Sequence, residues 1–376
     1  MNGKTTRTAK ASPGGTEILA AVVRGAGRPF SFERLTLEAP RPDEVLVRLA
    51  ACGVCHTDIG FWEAGGDGPV VLGHEGAGVV EAVGAEVRGL TPGDHVVLTI
   101  MSCGRCPACL DERPTACENF WEANFGFSRL DGSNALSGGV RGHFFGQSSF
   151  ATHALASVRN AVVVPRDLPL ELLAPLGCGF QTGAGTVLNS LAVRPGQSLL
   201  VLGTGSVGLA AVMAGRLAGA DPILAVDRVP SRLALALELG ATHALESGPG
   251  LGKRIRAIAG KLDHAVDSTG VAAFMRLAGD LLRPGGSAAL LSGAEGPGEL
   301  PDGRRVFGVI QGDAVPWRFI PQLVDHFRAG RFPLDRLVTT LPFRDLDRAV
   351  AESLNGTIIK PVLEISPAFG APFGVF

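Results

Sequence analysis

The chain has 376 residues, 46% hydrophobic and 19% charged, with a formal charge of -2. That length allows two or three domains with substantial cores. The near-zero charge gives neither nucleic acid nor an anionic membrane anything to bind to.

Residues 1–16 are small, polar and basic, without an acid or the apolar core of a signal peptide, and read as a frayed tail. From 18 to 50, short β-branched runs alternate with Gly and Pro turns, which predicts an antiparallel β domain. Ala51-Cys52-Gly53-Val54-Cys55-His56-Thr57-Asp58 then packs two thiols, an imidazole, a hydroxyl and a carboxylate together. Gly73-His74-Glu75-Gly76 places a His-Glu pair between apolar runs, with glycines that permit close backbone approach.

Cys103, Cys106, Cys109 and Cys117 follow within fifteen residues. No regular element puts four thiols at these gaps on one face, but a loop folded around one ion does. Four thiolates suit a tetrahedral zinc whose shell is closed, so this site staples a lobe and catalyses nothing. Two disulfides are the competing reading, disfavoured in a chain of this size without a secretory signal. Residues 120–146 are aromatic and Gly-rich with little periodicity, and read as loop walling a pocket.

Gly177-Cys178-Gly179 delivers the last cysteine, and strand and helix alternate from about residue 184. Strands are predicted at 198–202, 222–226, 263–267 and 287–291, with helices at 209–217, 231–239 and 272–282. Repeated βα units imply a parallel sheet covered on both faces. The uncharged stretches 172–193 and 199–215 contain Gly or Pro and read as buried core, and Gly215 to Gly219 as helix packing. A helix at 320–329, a strand at 337–341 and the closing stretch 358–363 are expected to return to the first domain and make it discontinuous.

Gly203-Thr204-Gly205-Ser206-Val207-Gly208 follows a strand and opens a helix, with Asp227 ending the next strand. Gly203 makes the turn, Gly205 admits a pyrophosphate and Gly208 lets helix and strand close up, while the helix start offers amides to the phosphates. Asp227 favours NAD by accepting from ribose hydroxyls, whereas Arg228 beside it could hold the 2′-phosphate of NADP. For a catalytic zinc with an open position, the ligand candidates outside the lobe are Cys52, Cys55, His56, His74 and Cys178.

On these motifs the chain resembles the zinc-dependent medium-chain alcohol dehydrogenases from about residue 20 to 365. The resemblance implies an α/β fold with a discontinuous GroES-like β-rich catalytic domain (1–183 and 312–376) and a doubly wound Rossmann domain (184–311). It implies Cys55, His74 and Cys178 on a catalytic zinc, and Cys103, Cys106, Cys109 and Cys117 on a structural one. Cys52 matches no ligand position. Asp58 would orient the ligand His74, and Glu75 would lie behind the metal. His56 and Lys360 match positions at the cofactor pyrophosphate, and Thr182 lies beside the nicotinamide. Thr57 would take the alcohol proton toward the nicotinamide ribose as hydride leaves the carbinol carbon for NAD, giving an aldehyde and NADH. Many family members end that relay with a histidine where this chain has Gly60.

Gly142-His143-Phe144-Phe145-Gly146-Gln147-Ser148-Ser149-Phe150, with Gly312-Asp313 and Phe319-Ile320-Pro321, is similar to the aryl-alcohol branch, which takes benzyl alcohol and terpenoid alcohols such as geraniol. Thr99 and Phe145 match pocket-lining positions, and Thr99 replaces a large aromatic of many members. The rivals are dehydrogenases of a glutathione adduct of formaldehyde or of aliphatic alcohols, and a non-catalytic NAD- and zinc-binding protein. The resemblance also implies a homodimer or homotetramer with a small-molecule alcohol or aldehyde substrate, while the charge and the apolar stretches broken by Gly and Pro read as a cytoplasmic protein without a nucleic-acid or membrane partner.

Overall fold

The computed structural model describes residues 15–292 and 296–365. Most of the expected tail therefore lies outside the described residues, and Thr16 already begins a strand, Thr16–Val23. That strand pairs antiparallel with Ser31–Leu37 and with Val70–Val71.

A second sheet is built on the long strand Glu44–Gly53, which pairs antiparallel with Glu75–Val83 on one side and with Lys360–Glu364 on the other. His95–Leu98 and Ala161–Val164 extend it at one edge and Val338–Pro342 at the other. Strands more than 300 residues apart thus share one sheet, and the C-terminal segment returns to the N-terminal β region as expected.

The third sheet runs in the order His243–Glu246, Ile223–Asp227, Leu199–Leu202, Leu262–Asp267, Leu282–Leu290, Arg305–Gly308, with the two-residue Gly298–Glu299 antiparallel at its edge. Numbered by chain position the six parallel strands lie 3-2-1-4-5-6, the doubly wound nucleotide-binding order. Both faces are covered. Leu199 and Val201 sit in one core cluster while Leu200 and Leu202 sit in another, which is why the strand is apolar at every position. The cluster holding Leu199 also holds Ala51, Val97 and Val164 of the antiparallel sheet, so the two large sheets share a continuous core.

Several elements differ from expectation. The strand His243–Glu246 and the helix Leu251–Ala259 were not legible, the strand because its residues are half-exposed at the sheet edge. Residues 120–146 are mostly irregular but open with a short helix, Phe120–Phe125. The stretch after Cys178 is one helical run, Gly179–Gly185 continuing as a π-helical turn Thr186–Ser190, so the expected domain boundary at 183/184 falls inside a helix. Among the described residues no helix is long and apolar enough to cross a membrane.

Candidate functional site

Three separate loops bring Cys55, His74 and Cys178 together. Cys55 lies just before the helix His56–Ala64. His74 precedes the strand Glu75–Val83, at a turn made by Gly73 with φ +89°, where an added Cβ would stand 2.4 Å from the Phe150 amide nitrogen. Cys178 begins the helical run at Gly179. Their ligand atoms, with a Glu75 carboxylate oxygen, all lie within 4.8 Å of one another.

The chemistry of this donor set fits a metal. Asp58 Oδ1 lies 2.9 Å from His74 Nδ1 and also accepts from the Gly73 amide at 3.0 Å, while Oδ2 accepts from the Cys55 amide at 3.0 Å. One buried carboxylate thus orients two of the converging residues, and it fixes the proton on Nδ1. His74 Nε2 is left buried and without a hydrogen-bond partner, beside the two thiols. Burial lowers the His74 pKa, but Asp58 and Cys55 outweigh it and push it up to about 10. A cation would take the place of that proton.

Glu75 and Lys360 form a fully buried ion pair behind the cluster, 2.7 Å from Lys360 Nζ to Glu75 Oε2. Burial pushes the Glu75 carboxyl up to about 7, with the ammonium restraining the rise, and the Lys360 pKa is itself held above its ordinary value. Lys360 Nζ also donates to the Val54 carbonyl at 3.1 Å. Lys360, which the resemblance puts at the cofactor pyrophosphate, has its ammonium on Glu75 and Val54. His56 is exposed at the helix start. Cys52 is wholly buried and burial raises its thiol pKa.

The four lobe cysteines also converge to within 4.8 Å. Cys103 Sγ lies 3.9 Å from Cys109 Sγ and Cys106 Sγ lies 4.0 Å from Cys117 Sγ. A disulfide would need about 2.05 Å, whereas a tetrahedron of about 2.3 Å zinc–sulfur bonds has edges near 3.8 Å. All seven cysteines are free thiols, which removes the disulfide alternative.

The nucleotide crevice adjoins the first cluster. Gly203 has φ +88°, an added Cβ at Gly208 would stand 1.8 Å from the Gly203 carbonyl oxygen, and one at Gly205 would meet nothing within 4 Å. That open face, over the start of the helix Ser206–Ala218, is where a pyrophosphate fits, with Ser206 and Val207 in the first turn. A Cβ on Gly183 would lie 2.1 Å from the Val207 carbonyl oxygen, so the helix after Cys178 packs directly on the helix that opens the crevice. Thr182 there donates to the Cys178 carbonyl at 2.8 Å.

Asp227 Oδ2 accepts from the Thr204 amide at 2.6 Å and hydroxyl at 2.8 Å, and Oδ1 from the Arg228 and Val229 amides at 2.7 and 3.0 Å. Burial opposes its charge, but these bonds prevail and hold its pKa below the ordinary carboxylate value. Arg228 is exposed.

Phe145 stacks on the His74 ring, with centroids 4.2 Å apart, and begins a chain of rings. Phe125 lies 5.1 Å from Phe145, 5.4 Å from Phe61 and 5.1 Å from Trp121, which is 64% exposed. Thr99 is fully buried; its hydroxyl donates to the Gly177 carbonyl at 2.7 Å and accepts from Gln181 at 2.7 Å. Thr57, half-buried, has its hydroxyl 3.8 Å from Cys55 Sγ. Sequence reasoning missed Gln181 and Gln311. Gln311 Nε2 lies 3.3 Å from Cys178 Sγ. Neither glutamine sits in a motif, so nothing local could have found them.

Comparison with known proteins agrees with this geometry. Residues 41–166 match the alcohol dehydrogenase GroES-like domain and residues 206–315 the zinc-binding dehydrogenase family. The geraniol dehydrogenase of Castellaniella defragrans is 45% identical over 364 residues, covering 92% of this chain and 96% of that one. The crystal structure of benzyl alcohol dehydrogenase from Acinetobacter calcoaceticus superposes with a TM-score of 0.90 at 40% identity, covering 93% of this chain and 100% of that one. An alcohol dehydrogenase zinc-binding domain protein from Burkholderia ambifaria gives 0.89 at 48% identity, covering 93% and 99%.

Proposed function

The chain belongs to the zinc-dependent medium-chain alcohol dehydrogenases, and from that premise we propose that it oxidises primary aromatic or allylic alcohols of the benzyl alcohol and geraniol type to aldehydes, reducing NAD. The observation that carries the substrate class is the ring chain that starts on the ligand imidazole at Phe145 and runs through Phe125 to exposed Trp121. Rings prefer to stack or meet edge to face at such separations, so an aromatic or allylic substrate gains contacts along this wall that ethanol lacks. The similarity to a geraniol dehydrogenase and a benzyl alcohol dehydrogenase supports the same class.

In this reading Cys55, His74 and Cys178 hold the catalytic zinc and Cys103, Cys106, Cys109 and Cys117 the structural one. The catalytic ion would supply Lewis acidity toward the alcohol oxygen, and NAD would supply the hydride acceptor. Asp58 keeps the His74 proton on Nδ1. Thr57 takes the alcohol proton toward the nicotinamide ribose, and with Gly60, which is exposed, in place of a histidine the relay ends in water or another base. Gly203, Gly205 and Gly208 admit the pyrophosphate, and Asp227 favours the unphosphorylated ribose of NAD. In the same reading the enzyme works in the cytoplasm as a homodimer or homotetramer, with light scattering testing the oligomeric state.

The test is initial-rate NADH formation with benzyl alcohol, geraniol, cyclohexanol and ethanol, with NAD or NADP, with and without a chelator. Preference for the first two with NAD, lost on chelation, is the expected result. Ethanol ahead of both would overturn the substrate class, and equal rates with NADP would overturn the role of Asp227.

A further inference from the structure

We propose that Gln311 is a positioning residue for the metal site: its side-chain amide donates an N–H···S hydrogen bond to Cys178 and so sets how much charge that sulfur gives the metal. The proposal rests on the reading of Cys55, His74 and Cys178 as ligands and adds a residue 133 positions along the chain from Cys178.

Gln311 Nε2 is 3.3 Å from Cys178 Sγ, and both side chains are buried. Which end of the amide faces the sulfur is decided by its other partner. Gln311 Oε1 accepts from Gln181 Nε2 at 2.8 Å, and that nitrogen also faces the Gly177 carbonyl at 2.8 Å and the Thr99 hydroxyl at 2.7 Å. With its oxygen turned to a donor, the amide presents N–H to Cys178.

The backbone is bent to make this contact. Gln311, Gly312 and Asp313 have φ of +53°, +66° and +48°. The two non-glycine left-handed positions, Gln311 and Asp313 on either side of Gly312, cost free energy and persist only where the surroundings enforce them. The enforcement is local. Asn189 Nδ2 donates to the Gly312 carbonyl at 3.1 Å, Ser190 Oγ donates to Asp313 Oδ2 at 2.7 Å, and a Cβ on Gly185 would stand 2.6 Å from the Gly312 carbonyl oxygen. All three partners belong to the helical run that follows Cys178.

The loop leaves the strand Arg305–Gly308 of the nucleotide-binding sheet. The amide therefore comes from the nucleotide side of the molecule and the sulfur from the metal side. A hydrogen bond to a thiolate draws charge from sulfur, leaving the metal less neutralised and more electrophilic, and it fixes the cysteine rotamer.

Gln311→Met keeps the length and bulk of the side chain and removes the N–H. Cobalt is exchanged into the Cys55–His74–Cys178 site with zinc kept in the lobe, and the sulfur-to-cobalt charge-transfer band is recorded, Cys178→Ser marking the share due to that sulfur. The band is expected to move to lower energy in Gln311→Met, with kcat/KM for the alcohol falling about 10- to 100-fold, as for other partners of metal ligands. Gln181→Met, which frees the Gln311 amide to turn, shifts the band in the same direction and adds nothing to Gln311→Met. A band at the wild-type energy in Gln311→Met overturns the proposal while leaving the metal site intact. If that variant does not fold, the same outcome in Gln181→Met overturns it. No thiolate band from Cys178 in the wild-type protein would overturn the metal reading itself, and the proposal with it.

Discussion

Asp58 Oδ1 and His74 Nδ1 lie 2.9 Å apart, and neither side chain is more than 2% exposed. Because Asp58 also takes the Cys55 and Gly73 amides, it couples the orientation of two converging residues to one carboxylate. Asp58→Asn puts an N–H where one of these donors needs an acceptor. The expected result is a 10- to 100-fold loss of affinity for the catalytic metal, with the lobe metal retained. Metal content after dialysis against a graded chelator measures it, and two retained metals would count against the assignment.

The Glu75–Lys360 pair is fully buried, so losing one partner strands the other. Lys360→Met should cost about 3–5 kcal/mol. Adding Glu75→Gln should recover most of that loss. Denaturant unfolding of the single and double variants decides it: a single variant within 1 kcal/mol of wild type would mean the pair contributes little.

Gly60 is exposed, and a Cβ there would meet nothing within 4 Å. Gly60→His should therefore fold and gain about 0.5 kcal/mol from helix propensity. If water now ends the proton relay from Thr57, the added imidazole should raise kcat severalfold near neutral pH. A pH–rate profile superposable on wild type would show that proton release does not limit turnover.

The cysteine lobe contacts the C-terminal segment through Glu112, 2.6 Å from Arg318. Cys109→Ser should reduce bound zinc from two to one and open residues 103–117 to hydrogen exchange. The Cys55–His74–Cys178 metal should stay. Loss of both metals together would show that the sites are not independent.

Burial and the nearby Arg129 charge lower the His143 pKa from 6.5 to about 4. The unfolded chain binds this proton first as pH falls, so the stability due to neutral His143 is complete above pH 6.5 and is lost progressively toward pH 4. The loss is at most about 3 kcal/mol. His143→Asn, which tolerates the left-handed backbone at this position (φ +62°), should flatten the stability–pH curve in that window. An unchanged slope would assign the acid sensitivity elsewhere.

Much of the molecule was legible in the chain because its chemistry is short-range. Four thiols at tight gaps, a glycine turn after an apolar strand and Asp227 at the end of the next strand each carry their physical reason within a few tens of residues. The repeated βα units announced a sheet buried on both faces, and the return of the C-terminal segment followed from strands left over once that sheet was full. Half-exposed edge elements such as His243–Glu246 gave no pattern to read.

Tertiary structure alone decided which long-range partners meet. Nothing near Lys360 in sequence points to a buried carboxylate partner, and the strand pairing of Lys360–Glu364 with Glu44–Gly53 delivers it to Glu75. Gln181 and Gln311 carry no signal at all, being 130 residues apart. Their amides acquire meaning only where the helix after Cys178 and the loop after Arg305–Gly308 are forced together. The sequence determined which groups are candidates for metal and nucleotide, because donor type and local spacing limit the choice. The fold decided which buried groups hold and orient those donors, because a hydrogen bond between distant segments depends on packing that no local pattern encodes.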